Sequence, residues 1–261
     1  MYANVVTTEH AVDAMDNTST TAHTEDDDDD DDDDAILVVH HSTDLALLST
    51  FCLLTCCNQA LWISFASVKD DVEIYFQLTD PLLVDLLSNI YMIIFLVLFL
   101  PTTFFLNKYG LKNGIVLSAL LNASGAVLRY LFALNVSFAG CVFGQSLCAV
   151  SQVLNFCCVG ALASSVVKPD LKTRAVGLIW FSTYFGCALG LWIPPMAVGD
   201  SSDDLIPCLL GFGIAATVVG VCVVASVCRG AQQQQQNVRV IVSNHNTILH
   251  IEYACVTIGK Y

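Results

Sequence analysis

Six apolar stretches, each long enough to cross a membrane and set apart by short polar gaps, constrain this chain more than any other feature. They cover residues 45–67, 83–106, 113–134, 139–166, 175–198 and 205–228. A bilayer's hydrocarbon core takes about 20 apolar residues per helical crossing. Inside it no water is present to satisfy backbone N–H and C=O groups, so a crossing segment must pair its own, as a helix does. The pattern predicts an all-α membrane protein with six transmembrane helices. Charge supports this once it is divided along the chain. Fourteen of the 24 acids fall in residues 1–44, which hold no Lys or Arg, and ten acids face ten bases in the rest. The net charge of −14 therefore describes a tail rather than the body. Such a tail repels nucleic acid, and no basic patch offers nucleic acid a footing.

Three regions follow. Residues 1–44 read as an acidic, disordered cytoplasmic tail, because the aspartates at 26–34 repel one another and cannot bury a core. A weak calcium site or a partner-binding segment is the alternative there. Residues 45–228 form the six-helix transmembrane domain. Residues 229–261, with glutamines at 232–236, read as a Gln-rich, poorly ordered cytoplasmic tail, in which 238–242 is at most a strand fragment. The first 44 residues lack the basic and apolar regions of a cleavable signal, so the first helix is expected to act as its own insertion signal. Lys108 and Lys112 follow the second span, Lys168, Lys172 and Arg174 the fourth, and Arg229 the sixth. The other gaps are acidic and hold only Lys69. By the positive-inside bias both termini are cytoplasmic. That even count depends on a short turn at 135–138.

Function in such a protein is read from polar groups placed where lipid would penalise them. In the first span Asn58 and Trp62 are four residues apart and share a face. They line a solute cavity or else serve as helix–helix hydrogen bonding and an interfacial aromatic. In the fourth span Gln145 and Gln152 are two turns apart on one face. Gln152 sits near the midplane, where transporters place substrate sites; structural hydrogen bonding is the competing reading. Arg129 is the one full charge well inside a later span, and Asp85 opens the second span on the same side, so the two are expected to form an ion pair. The alternative is that Arg129 reaches water alone. Gly186 and Gly190 are spaced for close helix packing, and Pro194-Pro195 is expected to end the regular geometry of the fifth span.

Six segments in register carry a family resemblance. They are Asn58-Gln-Ala-Leu-Trp62-Ile-Ser-Phe-Ala, Leu87-Ser88-x-x-Tyr91, Lys108-Tyr-Gly110-Leu-Lys112, Leu121-Asn122-x-x-Gly125-Ala-x-Leu-Arg129, Gly144-Gln145-Ser-Leu-Cys-Ala-x-x-Gln152, and Gly186-x-x-x-Gly190-x-x-x-Pro194-Pro195. Together they resemble solute carrier family 49, the feline leukaemia virus subgroup C receptor-related transporters of the major facilitator superfamily. The segments around Trp62 and Gln145 are most similar to its less characterised, major facilitator domain-containing branch. The resemblance implies twelve helices in two six-helix halves, alternating access between them, and small solutes such as choline, ethanolamine, haem or pyridoxine-like molecules. It implies that Trp62 and Gln152 line the cavity, where a tryptophan face suits a quaternary ammonium. Tyr184 falls within Ser182-Thr-Tyr184-Phe-Gly186, where relatives carry Gly-Asn-Gln-Leu-Gly. Asn107, Lys108 and Lys112 stand where the superfamily's loop motif carries an acid and arginines.

The chain is expected to be the N-terminal half of such a fold: a fragment, a truncated product or a half-transporter that pairs with a second half or a second copy. The predicted function is transport of a small organic solute through a plasma-membrane protein without a cofactor. The rival is a non-transporting membrane scaffold or degenerate fragment. An enzyme is disfavoured, since no His lies in any span and no paired carboxylates or nucleophile–base set appears. With no acid deep in a span, facilitated diffusion is favoured over proton coupling.

Overall fold

A computed structural model describes residues 30–80, 82–166, 171–199 and 204–258. The unit Val38–Tyr261 holds all six spans. The helices are α1 (Asp30–Ile63), α2 (Lys69–Phe76), α3 (Leu82–Tyr109), α4 (Leu111–Leu134), α5 (Phe138–Val166), α6 (Lys172–Val198) and α7 (Leu205–Ile258), with a 3-10 turn at Ala66–Val68 between α1 and α2. No strand occurs among the described residues. Among the described residues six helical stretches are long and apolar enough to cross a membrane: Leu45–Phe76, Leu82–Tyr109, Leu111–Leu134, Phe138–Ser165, Lys172–Val198 and Leu205–Gln233.

Helical backbone runs past both expected boundaries. α1 begins at Asp30, within the acidic run. α7 continues to Ile258. Alanine, arginine and glutamine after Cys228 are all good helix formers, and the stretch 238–242, weighed as a strand fragment, is part of this helix.

The gap after the first span is not simple loop. α1 stops at Ile63, and α2 follows as a short amphipathic helix that buries Val72 and Phe76 and leaves Ile74 exposed. Tyr75 donates to Ala133 O at 3.0 Å, and the Phe76 ring meets Phe138 edge-on at 5.7 Å. α2 thereby covers the ends of α4 and α5. It closes with Gln77 in the left-handed region, Leu78 N–H reaching Glu73 O and Gln77 N–H reaching Ile74 O. The turn between α4 and α5 uses the same C-terminal closure. Val136 is left-handed, its N–H bonds Ala133 O, and Ser137 N–H bonds Phe132 O. Three residues therefore suffice to reverse the chain, as the even span count requires.

α4 packs between α5 and α7, and α5 also packs on α3. Small residues set the closest seams. A Cβ on Gly186 would lie on the carbonyl of Cys56, and one on Gly190 would meet Ala60; the expected close packing at these glycines is thus a direct α1–α6 contact. α6 does not end at its prolines but continues through both to Val198. Pro194 has no N–H for Gly190 O, and Ser67 Oγ lies 3.1 Å from that carbonyl instead. The outer faces of α3 (Leu96, Leu100, Phe104) and α6 (Phe181, Phe185, Trp192) are exposed and apolar.

Candidate functional site

Two polar clusters lie inside the bundle. The first joins α1, α3, α4 and α5. Asn58 Nδ2 donates to Asn122 Oδ1 at 2.8 Å and to Cys148 O at 2.9 Å, so one α1 amide ties α4 to α5. One turn on, Trp62 Nε1 donates to Ser88 O at 3.0 Å, and its ring lies 6.2 Å from that of Tyr91. Gln145 Nε2 donates to Trp62 O at 3.4 Å. The cluster is left incomplete. Asn58 Oδ1, Ser88 Oγ and Gln145 Oε1 are buried and meet no hydrogen-bond partner among the described residues, and Tyr91 Oη has only the weak Cys148 thiol beside it. An unmet buried polar atom costs about 1–3 kcal/mol. Four of them lie on three helices, α1, α3 and α5, so this cluster keeps hydrogen-bonding capacity that the packing does not use.

The second cluster sits two turns along α5. Ser118 Oγ donates to Asn155 Oδ1 at 2.6 Å, Ser151 Oγ donates to Ser118 O at 2.9 Å, and the two hydroxyl oxygens are 2.8 Å apart. Here α4 and α5 satisfy each other, with only Asn155 Nδ2 left over. Gln152 lies on the same helix, between Ser151 and Asn155 in the chain. It is 5% exposed.

The expected pairing of Asp85 with Arg129 is not formed. Asp85 receives Lys69 Nζ at 3.0 and 3.1 Å. Both sit on a half-exposed rim, Lys69 at the start of α2 and Asp85 in the first turn of α3. Arg129 is inside, 1% exposed. Its Nη1 donates to Leu61 O at 3.1 Å, its Nη2 to Ser64 Oγ at 2.7 Å, and its guanidinium lies 4.2 Å from the centre of the Phe65 ring. The carbonyl at the end of α1 takes the place the sequence had given to a carboxylate. Arg129 does not reach water on its own either.

Of the expected site residues, Asn58, Trp62 and Gln145 are brought together, with Gln152 adjoining. Tyr184 stands apart, 68% exposed on the face of α6 away from α1, beside Trp180 at 6.3 Å between ring centres. Ser64, Ser88, Tyr91, Asn122 and Cys148 join the site without having been singled out as site residues. For Ser88 and Tyr91 the available signal was their spacing of three on one helical face. Among the described residues no three His, Cys, Asp or Glu side chains converge as a metal site would require. Cys141 and Cys208 are both free thiols, and Cys141 Sγ lies 3.4 Å from Arg129 O.

No family model matches the chain. Individual curated proteins do. Solute carrier family 49 member A3 of Xenopus tropicalis is 31% identical over 189 residues, which is 69% of this chain and 38% of that protein. An uncharacterised MFS-type transporter of Caenorhabditis elegans is 30% identical over 158 residues, 60% of this chain and 27% of that protein. The choline/ethanolamine transporter FLVCR2 of Homo sapiens is 27% identical over 158 residues, 60% of this chain and 30% of that protein. The chain is a relative of the solute carrier family 49 transporters. It spans between 27% and 38% of the length of these curated relatives. Six membrane-capable helices over that share make it a multi-pass membrane protein with the N-terminal half of a major facilitator fold. The Caenorhabditis elegans and human proteins are named as transporters.

Proposed function

We propose that this chain takes part in moving a small organic solute across a membrane, as one half of an alternating-access transporter. The unmet buried oxygens around Trp62 carry the reading, since each is costly in a bundle interior. Gln152, itself 5% exposed, sits midway along α5 at transporter-site depth. Beside it the cluster of Trp62, Asn58 and Gln145 holds unmet acceptors. Neutral amides, hydroxyls and an indole face suit a small cationic or zwitterionic guest held without covalent chemistry. Choline- or ethanolamine-like solutes are the first candidates, since FLVCR2 bears those names, and haem is the next. Tyr184 belongs to this proposal as a residue that faces the compartment from the outside once a second half is in place.

The exposed apolar faces of α3 and α6 support a second six-helix half or a second copy as the partner, with lipid on the remaining surface. The basic residues at Lys108, Lys112, Lys172 and Arg174 favour cytoplasmic termini, and the plasma membrane is the proposed location. The test is uptake and efflux of labelled choline, ethanolamine and haem in cells making the chain. Trp62→Ala should lower flux by about 30-fold, the size of one lost desolvated cation–π contact of about 2 kcal/mol, and Gln152→Ala by about tenfold, the size of one lost hydrogen bond to a charged guest. Background flux from the chain and from any longer product of its locus overturns the reading and leaves a non-transporting scaffold.

A further inference from the structure

We propose that Arg129 is a positioning residue for Trp62: with the Gln145 amide it caps the carbonyls at which α1 breaks, and so holds the indole against α3. A helix end leaves its last carbonyls without intrahelical partners. α1 ends at Ile63 inside the bundle, where water is not at hand to replace them. Two side chains from other helices reach this end. Arg129 of α4 takes Leu61 O, and Gln145 of α5 takes Trp62 O. The two carbonyls flank the Cα of Trp62, so the pair fixes the backbone on both sides of the indole.

The same contacts explain how a buried guanidinium stands there without an acid. The negative end of the α1 dipole faces it, Ser64 Oγ receives Nη2, and the Phe65 ring lies under its plane. Its seat is built as well. A Cβ on Gly144 would come within 3.0 Å of Arg129 Cγ and 2.9 Å of its backbone N, so only glycine there leaves room for the stem. Ser64 Oγ also bonds Leu61 O at 2.9 Å, which closes a small network around the break.

The positioning role needs no assumption about transport; its consequence for solute handling rests on Trp62 facing the solute as proposed above. The experiment uses the full chain in lipid nanodiscs with Trp180→Phe and Trp192→Phe, leaving Trp62 as the sole tryptophan. Trp62 quenching by acrylamide and amide exchange are read together. In Arg129→Gln the amides of residues 62–65 should exchange about tenfold faster, as loss of one charged hydrogen bond predicts. Trp62 should become more quenchable, while the amides around Ser118 and Ser151 stay as they were. Arg129→Lys, which keeps a cation at the helix end, should restore part of both signals. Ser64→Ala should shift them in the same direction by less, and it decides the matter if Arg129→Gln does not insert. Unchanged quenching and exchange at 62–65 overturn the proposal, as does equal loosening of all helices. Normal Trp62 signals with lost flux sink positioning but not transport. Altered signals in a chain that never carries solute do the reverse.

Discussion

The two polar clusters of this bundle use the same residue types to opposite effect. Around Ser118, Ser151 and Asn155 two helices exchange hydroxyl and amide bonds until almost nothing is left over. Around Asn58, Trp62, Ser88, Tyr91 and Gln145 four helices converge and several oxygens stay unmet. Interhelical polar bonds in lipid are worth little each, about 0.6 kcal/mol on average. A saturated set is therefore economical glue. An unsaturated set lowers stability, and the gathering of unmet oxygens around Trp62 is what the proposed binding compartment rests on.

The contrast can be attacked at several strengths. The largest effect is expected at the α1–α6 seam. Gly186→Val drives a side chain into the Cys56 carbonyl and should lower unfolding stability in detergent by about 3 kcal/mol, the upper range for overpacking. A neutral result would mean that α1 and α6 are not in tight contact. Next comes a paired substitution. Ser118→Ala removes a donor from the closed cluster and should cost about 1 kcal/mol with solute flux unchanged. Tyr91→Phe removes a hydroxyl that has little to bond and should leave stability within about 0.5 kcal/mol of the parent while altering flux. If the two behave alike, the clusters do not differ in kind. The smallest effect belongs to the rim. Asp85→Ala breaks a pair whose members are 33% and 46% exposed, so it should cost less than about 1 kcal/mol and lose even that at high salt. A drop of several kcal/mol would return Asp85 to the interior network.

What could be read from residue order, and what could not, follows from this division. Each span is legible because lipid imposes a length and a composition that nothing soluble imitates. The closeness of α1 and α6 was legible from Gly186 and Gly190, since only small residues permit it. The partner of Arg129 was not. Matching charges by depth proposes a carboxylate, but a helix end offers carbonyls, and these belong to the backbone of every residue alike. Leu61 carries no sign of being an acceptor until α1 is seen to break beside it. Lys69 was assigned to a loop, and α2, only eight residues long, is too short to stand out as a helix; so the true partner of Asp85 was overlooked. Among the site residues, Asn58, Trp62 and Gln145 were visible as polar groups at helical spacing. Asn122 and Cys148 lie on other helices, and only the packing brings them to Asn58.

The proline at 194 has a consequence for how this sequence can change. Its ring deprives Gly190 O of an amide hydrogen, and the Ser67 hydroxyl, shared with Ser64 O, stands in for it. The two positions therefore cannot drift independently. Alanine at 67 is costly while proline remains at 194 and nearly free once an ordinary residue has replaced it, so the order in which the two substitutions arrive decides which lineages keep a folded protein.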